Sequence, residues 1–121
     1  VEQFADLMNE YAKNMGLRDT HFTNPNGLHD DNHYTTAYEL AKITATAFQN
    51  PTFAEIAGTK SKVVQQTDTH TTKYLTNHNK MLRLYRGADG VKTGFTKTSG
   101  RTLVSSATRD GMHCRHPQRA Q

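Results

Sequence analysis

The stretch GADGVKTGFT, residues 87–96, sets an ammonium, a hydroxyl and a bare backbone side by side in a pattern typical of a strand. At a sheet edge beside a cleft, the ammonium of Lys92 can bind a carboxylate, and the hydroxyl of Thr93 can donate to the same group. Gly94 removes a side chain, so that a peptide can lie against the strand. The N–H of Phe95 can then point at an oxyanion. Because strand side chains alternate, we expect Lys92 and Gly94 on one face and Thr93 on the other.

The chain holds no serine placed as an activated nucleophile needs to be. Such a serine needs a base within hydrogen-bond reach, and a lysine three residues later on a helix supplies one. None of the four serines has that spacing; they are Ser61, Ser99, Ser105 and Ser106. The pair closest to this pattern is Thr59 with Lys62, a hydroxyl followed three residues later by a lysine, but it falls at the predicted start of a strand and not on a helix. The K-T-G wall therefore lacks its nucleophile within this chain.

The first half of the chain has helical spacing of its apolar residues. The pattern predicts three helices, at residues 1–15, 36–50 and 51–58. Gly16 is a C-cap candidate for the first helix. Thr36 and Glu39 form a capping box, in which the Glu39 side chain can reach back to the N–H of the cap. The residues between these helices, 20–36, are rich in turn signals and predict a loop.

The second half is rich in threonine and valine and predicts antiparallel strands. Two strands flank a polar break near 67–72, and two more cover residues 91–97 and 101–107, with a turn at Ser99-Gly100. After Met112 the alternation ends, so we expect no further strand and an atypical, disordered tail at 113–121. Helices followed by an antiparallel sheet place the chain in the α+β class.

Several long blocks resemble the low-molecular-mass D-alanyl-D-alanine carboxypeptidases in their order and spacing. The blocks are FADLMNEYAKNMGLRDTHFTNPNGL, HYTTAYELAKI, NPTFAEIAGTK, TNHNKML and YRGADGVKTGFTKTSGRTLVSSATRDGM. K-T-G belongs to a signature set with S-x-x-K and S-D-N in penicillin-binding proteins. The resemblance covers residues 1–112. It implies the C-terminal part of a catalytic domain with an incomplete serine β-lactamase or D,D-peptidase-like fold.

The resemblance also implies residue roles. Lys92 would hold the substrate carboxylate and tune the serine–lysine proton network, and Thr93 would hydrogen-bond the same carboxylate. Gly94 would let the peptide lie along the strand, and the N–H of Phe95 would supply half of the oxyanion hole. Thr96 is a weaker candidate for the same wall. No metal or cofactor is implied.

The whole enzyme implied by the resemblance trims the terminal D-Ala from peptidoglycan stem peptides and binds penicillin and other β-lactams. It would act outside the cytoplasm, in the cell envelope or secreted. Its nucleophile, lysine base and S-x-N loop would lie upstream of Val1, so this chain alone is expected to be inactive. Without the serine-bearing helix, four apolar residues would be partly uncovered and promote self-association; they are Phe4, Tyr11, Leu40 and Val104.

Two other classes of function remain open. A net charge of +4 and a pI near 9.3 permit binding to nucleic acid, but the basic residues are scattered, so we expect no nucleic-acid partner. A non-catalytic binding or assembly module that reuses this half-fold is the main alternative. Residues upstream of Val1 would separate it from the enzyme.

The histidines and asparagines have simpler interpretations. His29 and His33 are four apart, but the turn residues around them indicate a loop with solvated side chains instead of a metal site. Zinc bound with a partner chain through the tail residues is less favoured than a disordered tail; these residues are His113, Cys114 and His116. Asn77 and Asn79 are expected to hold the loop that leads into the K-T-G strand.

Overall fold

The computed structural model describes the backbone of residues 1–119 and the side chains of residues 1–114. Three helices come first and antiparallel strands follow, as the sequence predicts, with a short fourth helix between the two sheets. The helices are α1 (Glu2–Asn14), α2 (Ala37–Ala47), α3 (Pro51–Gly58) and α4 (Met81–Leu84). The strands are β1 (Ser61–Val64), β2 (Lys73–Thr76), β3 (Ala88–Thr96), β4 (Gly100–Arg109) and β5 (Met112–Arg119). Within the described residues, no helix is long and apolar enough to cross a membrane.

Local contacts fix the end of α1, at the glycine that the sequence predicts, and the start of α3. Gly16 follows α1 with a φ of +74°, and the N–H of Leu17 returns to the carbonyl of Ala12 at 3.0 Å. This arrangement satisfies carbonyl groups that the last turn leaves without helical partners. The side chain of Asn50 accepts from the N–H groups of Thr52 and Phe53, which fixes the start of α3 next to Pro51.

The capping box at the start of α2 is only half formed. The hydroxyl oxygen of Thr36 accepts from the N–H of Glu39 at 3.2 Å, as predicted. The prediction that Glu39 reaches back to the cap is wrong. Its buried carboxylate instead accepts from the N–H groups of Arg18 and Asp19 and from the hydroxyl of Thr20. These longer-range donors outcompete the local one because they converge on a single carboxylate.

The same contacts change the acidity of Glu39. The Thr20 hydroxyl, the N–H groups of Arg18 and Asp19 and the charge of Lys42 together lower the pKa of the Glu39 carboxyl below its ordinary value. Burial acts in the opposite direction and is outweighed, because hydrogen bonds to the ionised form stabilise it. Glu39 thereby fastens the segment after α1 to the first turn of α2.

Two separate antiparallel sheets follow the helices. β1 and β2 form a mostly exposed hairpin that encloses the predicted polar break. The second sheet has the order β3-β4-β5, so β4 is central, and β3 and β5 are its edges within the described part of the chain. α3 and α4 pack against β3, and α2 packs against β5. Helices and sheet together form a two-layer arrangement.

The core between these layers is small. It consists of Ala57, Val91 and Val104, with Leu40 and Phe48 packed against it and partly buried. The expectation that Val104 is uncovered is therefore wrong, since this central-strand residue is only 8% exposed.

The apolar face of α1 is uncovered, as expected. Phe4 is 56% exposed and Tyr11 is 62% exposed, with Leu7 between them at 57%. Ala5 and Ala12, on the other side of α1, are buried. α1 is thus anchored through its small residues and leaves its large ones on the surface.

The strand β5 contradicts the prediction of a tail without a strand after Met112. Asp110 and Gly111 both have positive φ, 51° and 78°, which is the backbone of a tight turn whose twist matches a hairpin. The turn returns the chain along β4 from Met112 to Arg119, and Pro117 pairs with Val104. Proline is compatible with an edge strand, where an N–H is not needed on the open side. Residues 120 and 121 of the predicted tail lie outside the described residues.

Candidate active-site wall

The K-T-G segment lies on β3, an edge strand that pairs only with β4 in the described part of the chain. The side chain of Lys92 is exposed, and its Nζ donates to the carbonyl oxygen of Thr93 at 2.5 Å. This bond indicates that the Thr93 carbonyl is on the open side of the strand. In an antiparallel pair, the N–H and C=O of one residue point the same way, and residues two apart share that direction. The N–H of Phe95 is therefore available at the open edge.

The pairing of β3 with β4 fixes which side chains share a face. Lys92 is opposite Val104 and Gly94 is opposite Thr102, whereas Thr93 is opposite Leu103. Directly opposed residues lie on the same face, and successive residues alternate. One face of the sheet therefore carries Lys92, Gly94 and Thr102. The side chain of Thr93 leaves the backbone on the opposite face.

The space beside Gly94 is not empty. A Cβ placed on Gly94 would lie 2.5 Å from the hydroxyl oxygen of Thr102. Sequence reasoning missed Thr102, although the turn at Ser99-Gly100 could have located it, since that turn pairs Gly94 with Thr102. The backbone that the sequence predicts to be bare is therefore partly covered by a hydroxyl from the neighbouring strand.

The two residues after K-T-G differ in their surroundings. The Phe95 side chain is 68% exposed. The predicted role of this residue, hydrogen bonding to the oxyanion, involves its backbone N–H and not this side chain. The hydroxyl oxygen of Thr96 accepts from the N–H of Ser99 at 2.9 Å. Thr96 thereby stabilises the turn that sets the register between β3 and β4.

Two asparagines hold the beginning of β3, as the sequence predicts. Asn79 is 1% exposed, donates to the carbonyl of Gly90 at 2.7 Å and accepts from the N–H of Met81 at 3.1 Å. Asn77 accepts from the N–H of Asn79 and donates to the carbonyl of Thr59 at 3.0 Å. The amide groups thus connect the end of α3, the start of α4 and the strand that carries Lys92.

A polar cluster that the sequence did not reveal lies at the start of β3, where the pairing with β4 shifts its register. The Asp89 carboxylate accepts from the hydroxyls of Ser106 and Thr108, the latter at 2.5 Å. Nδ1 of His113 lies 2.6 Å from the Thr108 hydroxyl and 3.8 Å from Asp89. Ser106 is 4% exposed, so its hydroxyl fastens β4 to Asp89 and faces no open cleft.

The histidines near the start of the chain lie in a loop, as predicted. His29 Nε2 is 3.4 Å from a carboxylate oxygen of Asp31, and Nδ1 of His33 accepts from the N–H of Thr23 at 3.2 Å. Over the residues whose side chains are described, no three His, Cys, Asp or Glu side chains are grouped as metal ligands would be.

Known structures share this fold at high similarity. A point mutant of the Streptomyces K15 DD-transpeptidase superposes with a TM-score of 0.89 at 35% identity, over 99% of this chain and 48% of that one. The D-alanyl-D-alanine carboxypeptidase of Mycobacterium tuberculosis H37Rv gives a TM-score of 0.82 at 31% identity, over 93% of this chain and 43% of that one. The class is therefore that of the D,D-peptidases and penicillin-binding proteins, represented by a partial α+β domain.

Sequence comparison identifies the family within that class. The family profile described as D-alanyl-D-alanine carboxypeptidase matches residues 1–115. D-alanyl-D-alanine carboxypeptidase DacF of Bacillus subtilis (strain 168) is 34% identical over 111 residues, and the D-alanyl-D-alanine carboxypeptidase of Streptomyces sp. (strain K15) is 38% identical over 115 residues. The chain belongs to the D-alanyl-D-alanine carboxypeptidase family, peptidase S11. The alignment with each of these relatives includes 92% of this chain. It covers only 28% of the length of the Bacillus subtilis protein and 40% of the length of the Streptomyces protein.

Proposed function

We propose that this chain forms one wall of the active site in a longer serine-type D-Ala-D-Ala carboxypeptidase. The whole enzyme removes the terminal D-Ala from peptidoglycan stem peptides and forms a covalent adduct with penicillin. Its substrate is a cell-wall polymer, so the enzyme acts outside the cytoplasm. The observation that carries the proposal is the K-T-G segment on an open edge strand, with Lys92 exposed and the N–H of Phe95 available at the edge.

The chemistry needs a serine nucleophile, which the S-x-x-K helix of the family supplies from outside this segment. The serine oxygen attacks the carbonyl carbon of the penultimate D-Ala and passes its proton to the neighbouring base. The C–N bond then breaks, the terminal D-Ala leaves with a proton on its nitrogen, and water releases the acyl group. Lys92 and Thr93 hold the terminal carboxylate at the open edge of β3, where side chains from both faces of the sheet can reach it, and the N–H of Phe95 donates to the oxyanion.

The chain by itself should not be acylated by penicillin. Ser106 is buried against Asp89, Ser99 lies in the turn after β3, and Ser61 lies on the exposed hairpin strand β1. Ser105 lies on β4 with no lysine near it in sequence. None of these positions offers the helical turn that brings a lysine beside a serine hydroxyl.

The test uses the full-length enzyme that carries this segment, a D-Ala-D-Ala peptide and a fluorescent penicillin. Lys92→Ala should lower turnover about 10²–10³-fold, as the loss of one electrostatic contact made in the transition state does. Lys97→Ala is the matched control, because Lys97 is an exposed lysine in the adjacent turn. The melting temperature should barely change in either variant. A wild-type enzyme that neither releases D-Ala nor forms the adduct would instead support a non-catalytic binding or assembly module.

The isolated chain provides a second measurement with the same penicillin. Denaturing electrophoresis and mass spectrometry should detect no adduct. A stoichiometric adduct on any serine of the chain would show that a nucleophile exists here, and the division of the site between two segments would then be wrong.

A further inference from the structure

The face of the sheet that carries Lys92 also carries a side-chain hydroxyl from the neighbouring strand β4. Thr102 is opposite Gly94, and its hydroxyl oxygen lies 2.5 Å from where a Cβ of Gly94 would be. Thr102 is exposed. Among the described residues, its hydroxyl has no hydrogen-bond partner in the protein.

The position of Thr102 relative to Lys92 follows from the register. Lys92 is opposite Val104, so Thr102 is the diagonal neighbour of Lys92 on the same face. Diagonal neighbours in an antiparallel pair have Cα atoms about 7–8 Å apart, within the reach of a long side chain such as lysine. A carboxylate between them can accept from an ammonium on one side and a hydroxyl on the other.

We propose that Thr102 is a specificity-determining residue that donates its hydroxyl to the substrate carboxylate held by Lys92. This inference rests on the proposed function, because it needs a substrate with a terminal carboxylate at this edge. It also changes the role of Gly94. The glycine makes room for the Thr102 side chain, and the substrate rests on that side chain as well as on the backbone of β3.

The decisive variant is Thr102→Val in the full-length enzyme, because valine keeps the shape of threonine and removes the hydroxyl. Thr102→Ser restores a hydroxyl. Thr98→Val is the matched control, since Thr98 is an exposed threonine in the turn of the same hairpin. Each variant is assayed on an acyl-D-Ala-D-Ala peptide and on the same peptide with a C-terminal carboxamide.

For Thr102→Val, we expect kcat/KM on the carboxylate peptide to fall about tenfold, which is the size of one hydrogen bond to a charged group. The fall should appear in KM and leave kcat within about twofold, because the contact exists in the ground state and the transition state alike. The preference for carboxylate over carboxamide should fall by the same factor. A residue that only fills space would leave that preference unchanged. Thr102→Ser should recover most of the loss, and Thr98→Val should behave as wild type.

The outcomes separate this inference from the proposed function. An active wild-type enzyme whose Thr102→Val variant keeps its carboxylate preference would overturn the role of Thr102 and leave the proposed function intact. A loss in Thr102→Ala that Thr102→Val does not show would assign Thr102 to packing alone. A wild-type enzyme without D-Ala release or penicillin adduct would overturn both.

Discussion

At the scale of single residues, the space beside Gly94 is occupied by the side chain of Thr102. The backbone of Gly94 does not have a positive φ, so an alanine there is limited only by what its Cβ meets. The nearest atom is the Thr102 hydroxyl oxygen at 2.5 Å, and the next is the Cβ of the same residue at 3.9 Å. The conflict is thus confined to one hydroxyl.

Gly94→Ala should lower the free energy of unfolding by about 1 kcal/mol, because the Thr102 side chain is forced from its rotamer. The double variant Gly94→Ala/Thr102→Ala should recover the loss beyond the sum of the single changes, since it removes the hydroxyl. Urea denaturation of the single and double variants measures the coupling. Strict additivity would mean that the two residues do not touch.

Glu39 makes the other residue-scale prediction, which concerns pH. Its pKa is lowered, so its contribution to stability is fully present above the pKa of an unfolded glutamate, about 4.3, and is lost as the pH falls through the folded-state value. Glu39→Gln should be destabilised at neutral pH, and its stability should fall less steeply than that of wild type in acid. Melting curves at several pH values compare the two proteins. Glu55→Gln, an exposed glutamate on α3, should keep the wild-type slope.

At the scale of elements, the K-T-G strand depends on the loop before it. Asn79 comes directly before α4 and hydrogen-bonds both the N–H of Met81 in α4 and the carbonyl of Gly90 in β3. A buried amide with both ends paired fixes one relative position of the two elements. Loss of this bridge should loosen the start of β3 and, with it, the position of Lys92.

Asn79→Asp keeps the size and the acceptor but replaces the donating nitrogen with an oxygen that faces the Gly90 carbonyl. We expect a loss of about 1–3 kcal/mol in the free energy of unfolding, because a buried carbonyl loses its donor. Urea denaturation gives the value. Asn32→Asp, an exposed asparagine in the loop before α2, is the control and should change little. Equal, small effects at both positions would refute the bridge.

At the scale of the whole molecule, apolar surface is left over after the described elements have packed. The buried cluster between the helices and the sheet holds three small or medium side chains, whereas three large ones lie exposed along α1. These three, Phe4, Leu7 and Tyr11, form one continuous strip at helical spacing. A strip of this kind favours association with another apolar surface.

We expect the isolated chain to self-associate in a concentration-dependent way. Replacing Leu7 and Tyr11 with glutamine should shift it toward monomer, because the strip loses most of its apolar area. Leu28→Gln is the control, since Leu28 is an exposed leucine in the loop between α1 and α2. Analytical ultracentrifugation over a range of concentrations measures the change. A monodisperse wild-type monomer that melts cooperatively and binds no apolar dye would contradict this prediction.

The sequence alone determined the features that depend on neighbours within a few residues. Helical spacing, the Thr36 cap, Gly16 and the Ser99-Gly100 turn were all readable, because each acts through local backbone geometry. The K-T-G segment and its family were readable from the order of residues. The sequence after Met112 lacks strand alternation, so β5 was missed.

Tertiary structure alone decided the contacts between distant residues. The Glu39 carboxylate accepts hydrogen bonds from Arg18, Asp19 and Thr20 and none from its own helix cap. Several donors from another segment stabilise a carboxylate more than one local N–H does. The Asp89 carboxylate accepts a hydrogen bond from Ser106 on the neighbouring strand, and the Thr102 side chain covers Gly94. Such contacts follow from strand register and from the docking of helices on the sheet, and these depend on the packing of the whole chain and not on any short pattern in it.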